Sequence, residues 1–501
     1  MNMELLSNLA LAFAVVLQPD NLFFCFLGCL IGTLIGVLPG LGPVATISLL
    51  LPSTFHITPV SAIIMLAGIY YGAMYGGSIT SILVNIPGEA ASVVTCLDGY
   101  QMARQGRAGP ALGISAFASF IAGTLATLLI MLVAPPLARF ALKFGPPEYF
   151  ALMFLGLTIL TYLASGSMVK ALMMACVGVF LGTIGTDNIS GVERFTYRSY
   201  TLMDGLGLVP VIMGLFGISE VLLNIDEGSK QEIYRTRIAH LLPTRRDWRE
   251  SLPAIIRGTF IGFFLGILPG GGAVIASFAT YAVEKKISKH PEKFGSGAIE
   301  GVAAPEAANN SASQGAFIPL LTLGIPANVV MAILLGALLI HNIKPGPLLI
   351  RDHPSLFWGV LGSMYIGNLM LLVLNIPLIG MWVKILKIPY PVLFPLIILF
   401  CLIGVYSVNN NIFEMIIMIL FGIVGYLMKK FAYEGAPLIL AFVLSPMLEN
   451  ALRQSLIMSH GSFSIFFTRP ISCALIVISI FLLITPLIPG FKKRPKSENV
   501  S

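Results

Sequence analysis

The chain has 501 residues, 56% of them hydrophobic and only 11% charged, with a mean hydropathy of +0.90. Soluble domains carry about 25% charged residues, so a soluble enzyme or binding module is excluded. The formal net charge of +7 sits on basic residues gathered in a few loops, as membrane topology requires, and does not suggest nucleic acid.

Apolar runs of roughly 17–25 residues recur along the chain, each long enough to cross a bilayer core. They predict an all-α polytopic membrane protein with about 10–12 transmembrane segments. The period-two alternation of a membrane barrel is not seen. A first, uncleaved helix is expected over about residues 3–18. The next apolar stretch is broken at Pro39-Gly40-Leu41-Gly42-Pro43, and another runs from about residue 60 to NIPGE at Asn85–Glu89. Helices follow at about 111–133, 148–164, 168–184 and 206–225. A basic linker then carries Lys230, Arg235, Arg237, Arg245, Arg246 and Arg249.

The order then repeats. GVLPGLGPVA at Gly36–Ala45 returns as GILPGGGAVI at Gly266–Ile275, and NIPGE returns as GIPAN at Gly324–Asn328. Later helices are expected near 355–380, 390–406, 412–428, 433–451 and 471–488. The chain therefore divides into a first half (1–225), a linker (226–252), a second half (253–490) and a basic tail (491–501). From the linker onward, loops on the linker side hold eighteen Lys and Arg, while those on the other side hold Lys344, Arg351, Arg453 and Arg469. Positive loops stay inside, so linker and tail are placed in the cytoplasm and equivalent points of the two halves face opposite sides. The halves are read as inverted-topology repeats. Only about thirty residues separate the basic linker from Lys285–Lys293, which predicts a re-entrant hairpin turning at Pro269–Gly272. Gly28–Pro52 is its expected counterpart from the other side.

Glycine- and proline-broken segments in matching positions of two halves point to a transport site. Glycine lets a ligand approach the backbone, and freed amides at a half-helix start can receive an anion. Close helix packing by small residues is the competing account of the same glycines. The candidate substrate-binding residues are Gly40, Gly42, Ser78, Ser81, Asn85 and Gly88 in the first half. In the second they are Gly270, Gly271, Gly272, Asn309, Asn310, Ser311, Thr322 and Gly324. Glu89 and Glu306 are candidates for a coupling-ion or gating role, with a solvated loop position as the other reading. Glu220 and Glu449, at matching helix ends, read as structural. No metal-binding, Walker A or hydrolase motif occurs, the six cysteines form no CxxC pair, and no cofactor or enzymatic activity is expected.

The twin GVLPGLGP and GILPGGGA motifs, YGGSITSILVNIPGE, PEAANN and LTLGIP together resemble the large membrane subunit of tripartite tricarboxylate transporters. The resemblance covers nearly the whole chain. It implies a multi-pass secondary transporter of the bacterial inner membrane importing citrate or a related carboxylate, with Na⁺ or H⁺ as coupling ion. It also implies two partners, a small transmembrane subunit and a periplasmic solute-binding protein. The alternative is a carboxylate carrier or channel that works without a binding protein. The chain departs from the family pattern in Ala327-Asn328 after the second proline and in the serine that ends PEAANNS.

Overall fold

The computed structural model describes residues 2–38, 42–163, 167–187, 189–227, 241–270, 272–385 and 390–485. Within them the fold is helical apart from one short antiparallel pair, Gly185–Thr186 with Glu193–Arg194. In the first half the main helices are α1 (Asn2–Val16), α2 (Pro19–Val37), α3 (Gly42–Leu50), α4 (Pro59–Val84), α5 (Ala108–Ala141), α6 (Pro146–Leu163) and α7 (Met168–Gly182). A final segment over residues 208–227, α8, contains wide π-turns at Met213–Ile218. The second half contains α9 (Arg245–Ile267), α10 (Gly272–Ile287), α11 (Glu300–Gly315), α12 (Phe317–Leu323), α13 (Val329–Ile340), α14 (Pro354–Asn375), α15 (Tyr390–Asn409), α16 (Ile412–Lys430), α17 (Gly435–Met458) and α18 (Pro470–Ile484). Among the described residues, seven of these are both long and apolar enough to cross a membrane.

Glycines spaced four apart set the packing of each half. Gly28, Gly32 and Gly36 of α2 lie against the backbone of Met65, Ile69 and Ala73 of α4. Two hundred and thirty residues later, Gly258, Gly262 and Gly266 of α9 lie against Ala304, Ala308 and Ala312 of α11. In lipid there is little hydrophobic drive between helices, so close backbone approach over small residues supplies the contact. Both pairs run parallel, because the partners advance in the same order.

The contacts fix the inversion. Ser61 Oγ, at the start of α4, donates to Asn21 Oδ1 at the start of α2 (2.6 Å), so both helices begin on one face. The chain beyond α4 reaches the other face. There Asp98 Oδ1 accepts from the amides of Gly295, Gly297 and Ala298 at 2.8–2.9 Å, and Arg107 pairs with Asp247 at 2.6 Å. That is the face on which α9 begins. The second hairpin returns to it: Arg257 of α9 makes a two-pronged pair with Glu284 of α10, both contacts at 2.7 Å. Its two ends, Thr244 and Lys289, line one cavity of about 970 Å³. The α9–α10 hairpin is thus re-entrant from the linker face, whereas α2 enters from the opposite face.

The remaining helices repeat the inversion. α17 packs on α7 through Gly178 and Gly182, and α16 packs on α8 through Gly214, Gly422 and Gly425. On the face away from the linker, Asp187 pairs with Arg453 (2.7 Å), Arg194 with Glu449 (2.8 Å) and Arg469 with Glu148 (3.1 Å). On the linker face, Lys429 pairs with Glu220. Most of the basic linker and the whole tail lie outside the described residues.

Candidate functional site

All four breaks meet in one place. A cavity of about 660 Å³ is lined by Gly42 and Pro43 after the first break, Pro87–Ala90 at the second, Gly270 and Gly272 at the third, and Asn328 and Val329 at the fourth. Tyr70 and Met74 of α4 form part of its wall, while Phe216, Glu220, Glu434 and Ala436 carry it toward the linker face. The two breaks of the second half are tied together: the Gly270 amide donates to the Ala327 carbonyl at 2.8 Å.

Local chemistry explains why each break holds its shape. Gly42 and Gly272 adopt φ of +47° and +50°, the left-handed region that glycine enters without strain, and each opens a helix. The first amides of α3, α10 and α13 therefore sit at the cavity rim with no acceptor inside their own helices. Asn328 caps α13, its Oδ1 accepting from the Met331 amide (3.0 Å) while its Nδ2 donates to the Tyr70 hydroxyl (3.2 Å). Glu89 occupies the equivalent position after the first-half break. One carboxylate oxygen accepts from the Ala91 amide (2.8 Å), and the other, Oε1, is buried without a partner. Among the described residues the charged side chains lining the cavity are Glu89, Glu220 and Glu434, with no Lys, Arg or His.

The sequence candidates separate into groups. Gly42, Gly88, Gly270, Gly272 and Glu89 line the cavity, whereas Gly40 and Gly271 lie outside the described residues. Ser78, Asn309, Asn310, Ser311 and Glu306 are buried elsewhere, in a network between α4, α5, α9 and α11. There Ser78 Oγ donates to Glu306 (2.5 Å), Thr95 also bonds Glu306, Asn310 Nδ2 donates to Ser119 Oγ (2.7 Å), and Ser311 Oγ donates to the Thr259 carbonyl (2.6 Å). Ser81 and Thr322 return their hydroxyls to the carbonyls of Gly77 and Ile318 in their own helices. Asn85 is exposed and, at φ +58°, ends α4 in the left-handed conformation, while Gly324 ends α12 in the same way. Four polar lining residues, Asn328, Tyr70, Glu434 and Glu220 (the last read from the sequence as structural), were not among the candidates. Aligning GIPAN with NIPGE sets Asn328 opposite Glu89 and could have found it; Tyr70 carries no such signal.

Comparison with known proteins shows the family. Residues 22–440 match the tripartite tricarboxylate transporter TctA family. The chain is 53% identical over 492 residues, 98% of both chains, to an Agrobacterium vitis protein described as an uncharacterized 52.8 kDa protein in the TAR-I ttuC' 3' region. A second Agrobacterium vitis protein, described as an uncharacterized protein in the TAR-II ttuC' 3' region, is 53% identical over 233 residues, 46% of this chain and 96% of its own length. No solved structure matches the chain. The chain is a multi-pass membrane protein that belongs to the tripartite tricarboxylate transporter TctA family, and so a subunit of a tricarboxylate transporter.

Proposed function

We propose that the chain is the ion-coupled translocating subunit that imports a tricarboxylate or related carboxylate, bound in the cavity where the four breaks meet. The observation that carries this reading is the convergence of both inverted hairpins on one cavity of about 660 Å³. Helix starts at its rim offer amides and the positive ends of helix dipoles to an anion. No basic side chain among the described lining residues neutralises the charge, and Glu89 adds a carboxylate. A multiply charged anion entering such a site needs a co-bound cation or proton, which couples its movement to an ion gradient.

In this reading the membrane is the bacterial inner membrane, with linker and C-terminal tail in the cytoplasm, following the positive loops. A small membrane subunit and a periplasmic solute-binding protein complete the system, the latter delivering the substrate. The test is uptake of labelled citrate into proteoliposomes carrying this chain and the small subunit. Uptake is expected only with the binding protein outside and an inward Na⁺ or proton gradient. Downhill uptake by this chain alone, indifferent to ion gradients, would instead support a binding-protein-independent carrier or channel.

A further inference from the structure

On the linker face, the start of α9 and the chain beyond α10 border the cavity of about 970 Å³ between the two ends of the re-entrant hairpin. Three carboxylates in its lining are already paired: Asp247 with Arg107 (2.6 Å), Glu250 with Arg246 (2.8 Å) and Glu284 with Arg257 (2.7 Å). Arg249, Lys289 and Lys293 line the same cavity and, among the described residues, stand in no ion pair. Against these three cations the lining offers one further carboxylate, Glu300. The cavity carries an excess of positive charge.

An apolar stripe leads away from it. Leu252, Ile256, Phe260 and Phe264 recur every four residues along one side of α9 and are each 37–61% exposed. Pro253 and Arg257, their neighbours in sequence, line the cavity, so the stripe begins at its rim. On α10, Ile287 is exposed and lines the cavity as well. Topology alone asks only that basic residues lie on this side; it does not gather them round a cavity or run an apolar stripe into it. We infer that the cavity holds the headgroup phosphate of one acidic phospholipid, whose acyl chains lie along α9 from Leu252 to Phe264. Phosphate oxygens accept charge-assisted hydrogen bonds from guanidinium and ammonium groups, and basic pockets between membrane helices take anionic headgroups in this way.

The site has no twin. Residues 19–56, which hold the corresponding hairpin of the first half, contain no Lys or Arg. Arg249 belongs to α9 and Lys289 follows α10. A phosphate between them would bridge the two ends of the hairpin whose turn, at Gly270 and Gly272, lines the substrate cavity. The lipid site stands on the geometry of the hairpin and does not depend on the transporter reading.

The test measures tritium-labelled dioleoyl phosphatidylglycerol bound to the full-length protein in a neutral detergent. Saturable binding of one lipid per chain is expected, displaced by unlabelled phosphatidylglycerol but not by phosphatidylcholine with the same chains. Glycerol phosphate, the headgroup without chains, is expected to leave it bound at equal concentration. Displacement by glycerol phosphate as effective as by the lipid would mean that the site takes free phosphate, and would overturn the inference. Equal displacement by phosphatidylcholine would overturn it too, leaving the stripe alone to hold acyl chains. Arg249→Gln with Lys289→Gln is expected to weaken binding on the order of 25-fold, about fivefold for each charge removed. Lys285→Gln with Lys286→Gln is the control, because both lysines are exposed on the same face and line no part of the cavity; wild-type binding is expected. Equal loss in both variants would assign binding to diffuse surface charge, and undiminished binding in the first would place it elsewhere; either result overturns the site. Where a variant does not purify, the three competitions on the wild type decide the matter.

Discussion

Replacing Gly88 with alanine adds one methyl group at the tightest point of the cavity wall. The new Cβ would lie 1.9 Å from the Gly36 carbonyl oxygen, 2.6 Å from the Gly77 Cα and 2.7 Å from Thr80 Oγ1. Two of these three are backbone atoms of α2 and α4, held by stacked glycines, so no change of rotamer clears them. Overpacking of this kind costs ~1–3 kcal/mol, equivalent to a factor of about 5–150 in an equilibrium constant. The short break at residues 85–89 yields more easily than two packed helices, so the cost falls on where Glu89 and Ala90 sit in the cavity. The expected outcome is that citrate binding by Gly88→Ala, measured by titration calorimetry, weakens by about 5–150-fold, while the protein still purifies as a single folded species. Gly380→Ala is the control, since nothing lies within 4 Å of its added Cβ. Wild-type citrate binding by Gly88→Ala would refute the claim that this break is a fixed wall of the site.

Asn328→Ala removes both the cap on α13 and the bond to Tyr70, at about 0.5–2 kcal/mol for the cap. Calorimetry is expected to show weaker citrate binding, with only a modest fall in unfolding temperature. Gly262→Leu places a Cβ 2.3 Å from the Ala308 carbonyl oxygen, again a backbone atom, so the α9–α11 seam must open. The yield of monodisperse protein on size exclusion is expected to collapse. On the face away from the linker, hydrogen bonds from Arg453, then from the Ser190 hydroxyl and the Ile189 amide, hold the Asp187 carboxyl below the usual range. Its contribution to stability is therefore present above the unfolded value of about 3.9 and is lost as pH falls through the lower folded value. Melting profiles of wild type and Asp187→Asn are expected to differ at neutral pH and to converge only in strong acid.

Much of the architecture was legible because it is written in repeats and charges. Two copies of a broken apolar segment, and an excess of basic residues in the loops on one side of the second half, are enough to give the inverted hairpins that the contacts of Ser61, Asp98 and Glu284 bear out. The side chains around the cavity were much less legible. Helix α4 is buried on every side, so no polar stripe distinguishes the face that carries Tyr70 and Met74 from the one that carries Ser78. Likewise α11 is the most polar helix in the core, yet its Asn310, Ser311 and Gln314 bond to α5 and α9 and line no part of the cavity. Polarity inside a membrane signals that a group needs partners; whether those partners are protein or substrate is decided by tertiary contacts.

The central claim is that one carboxylate is held by both halves at once, from hairpins that enter through opposite faces. Ala45 and Ile275 are repeat equivalents, one on each hairpin, and both line the cavity. Single cysteines at these two positions, in a background with the six native cysteines replaced, can be labelled with a small thiol reagent over a range of citrate concentrations. Protection of both cysteines with the same half-protecting concentration is the expected result. Protection of one alone, or of neither while citrate binding persists, would contradict a site shared between the halves.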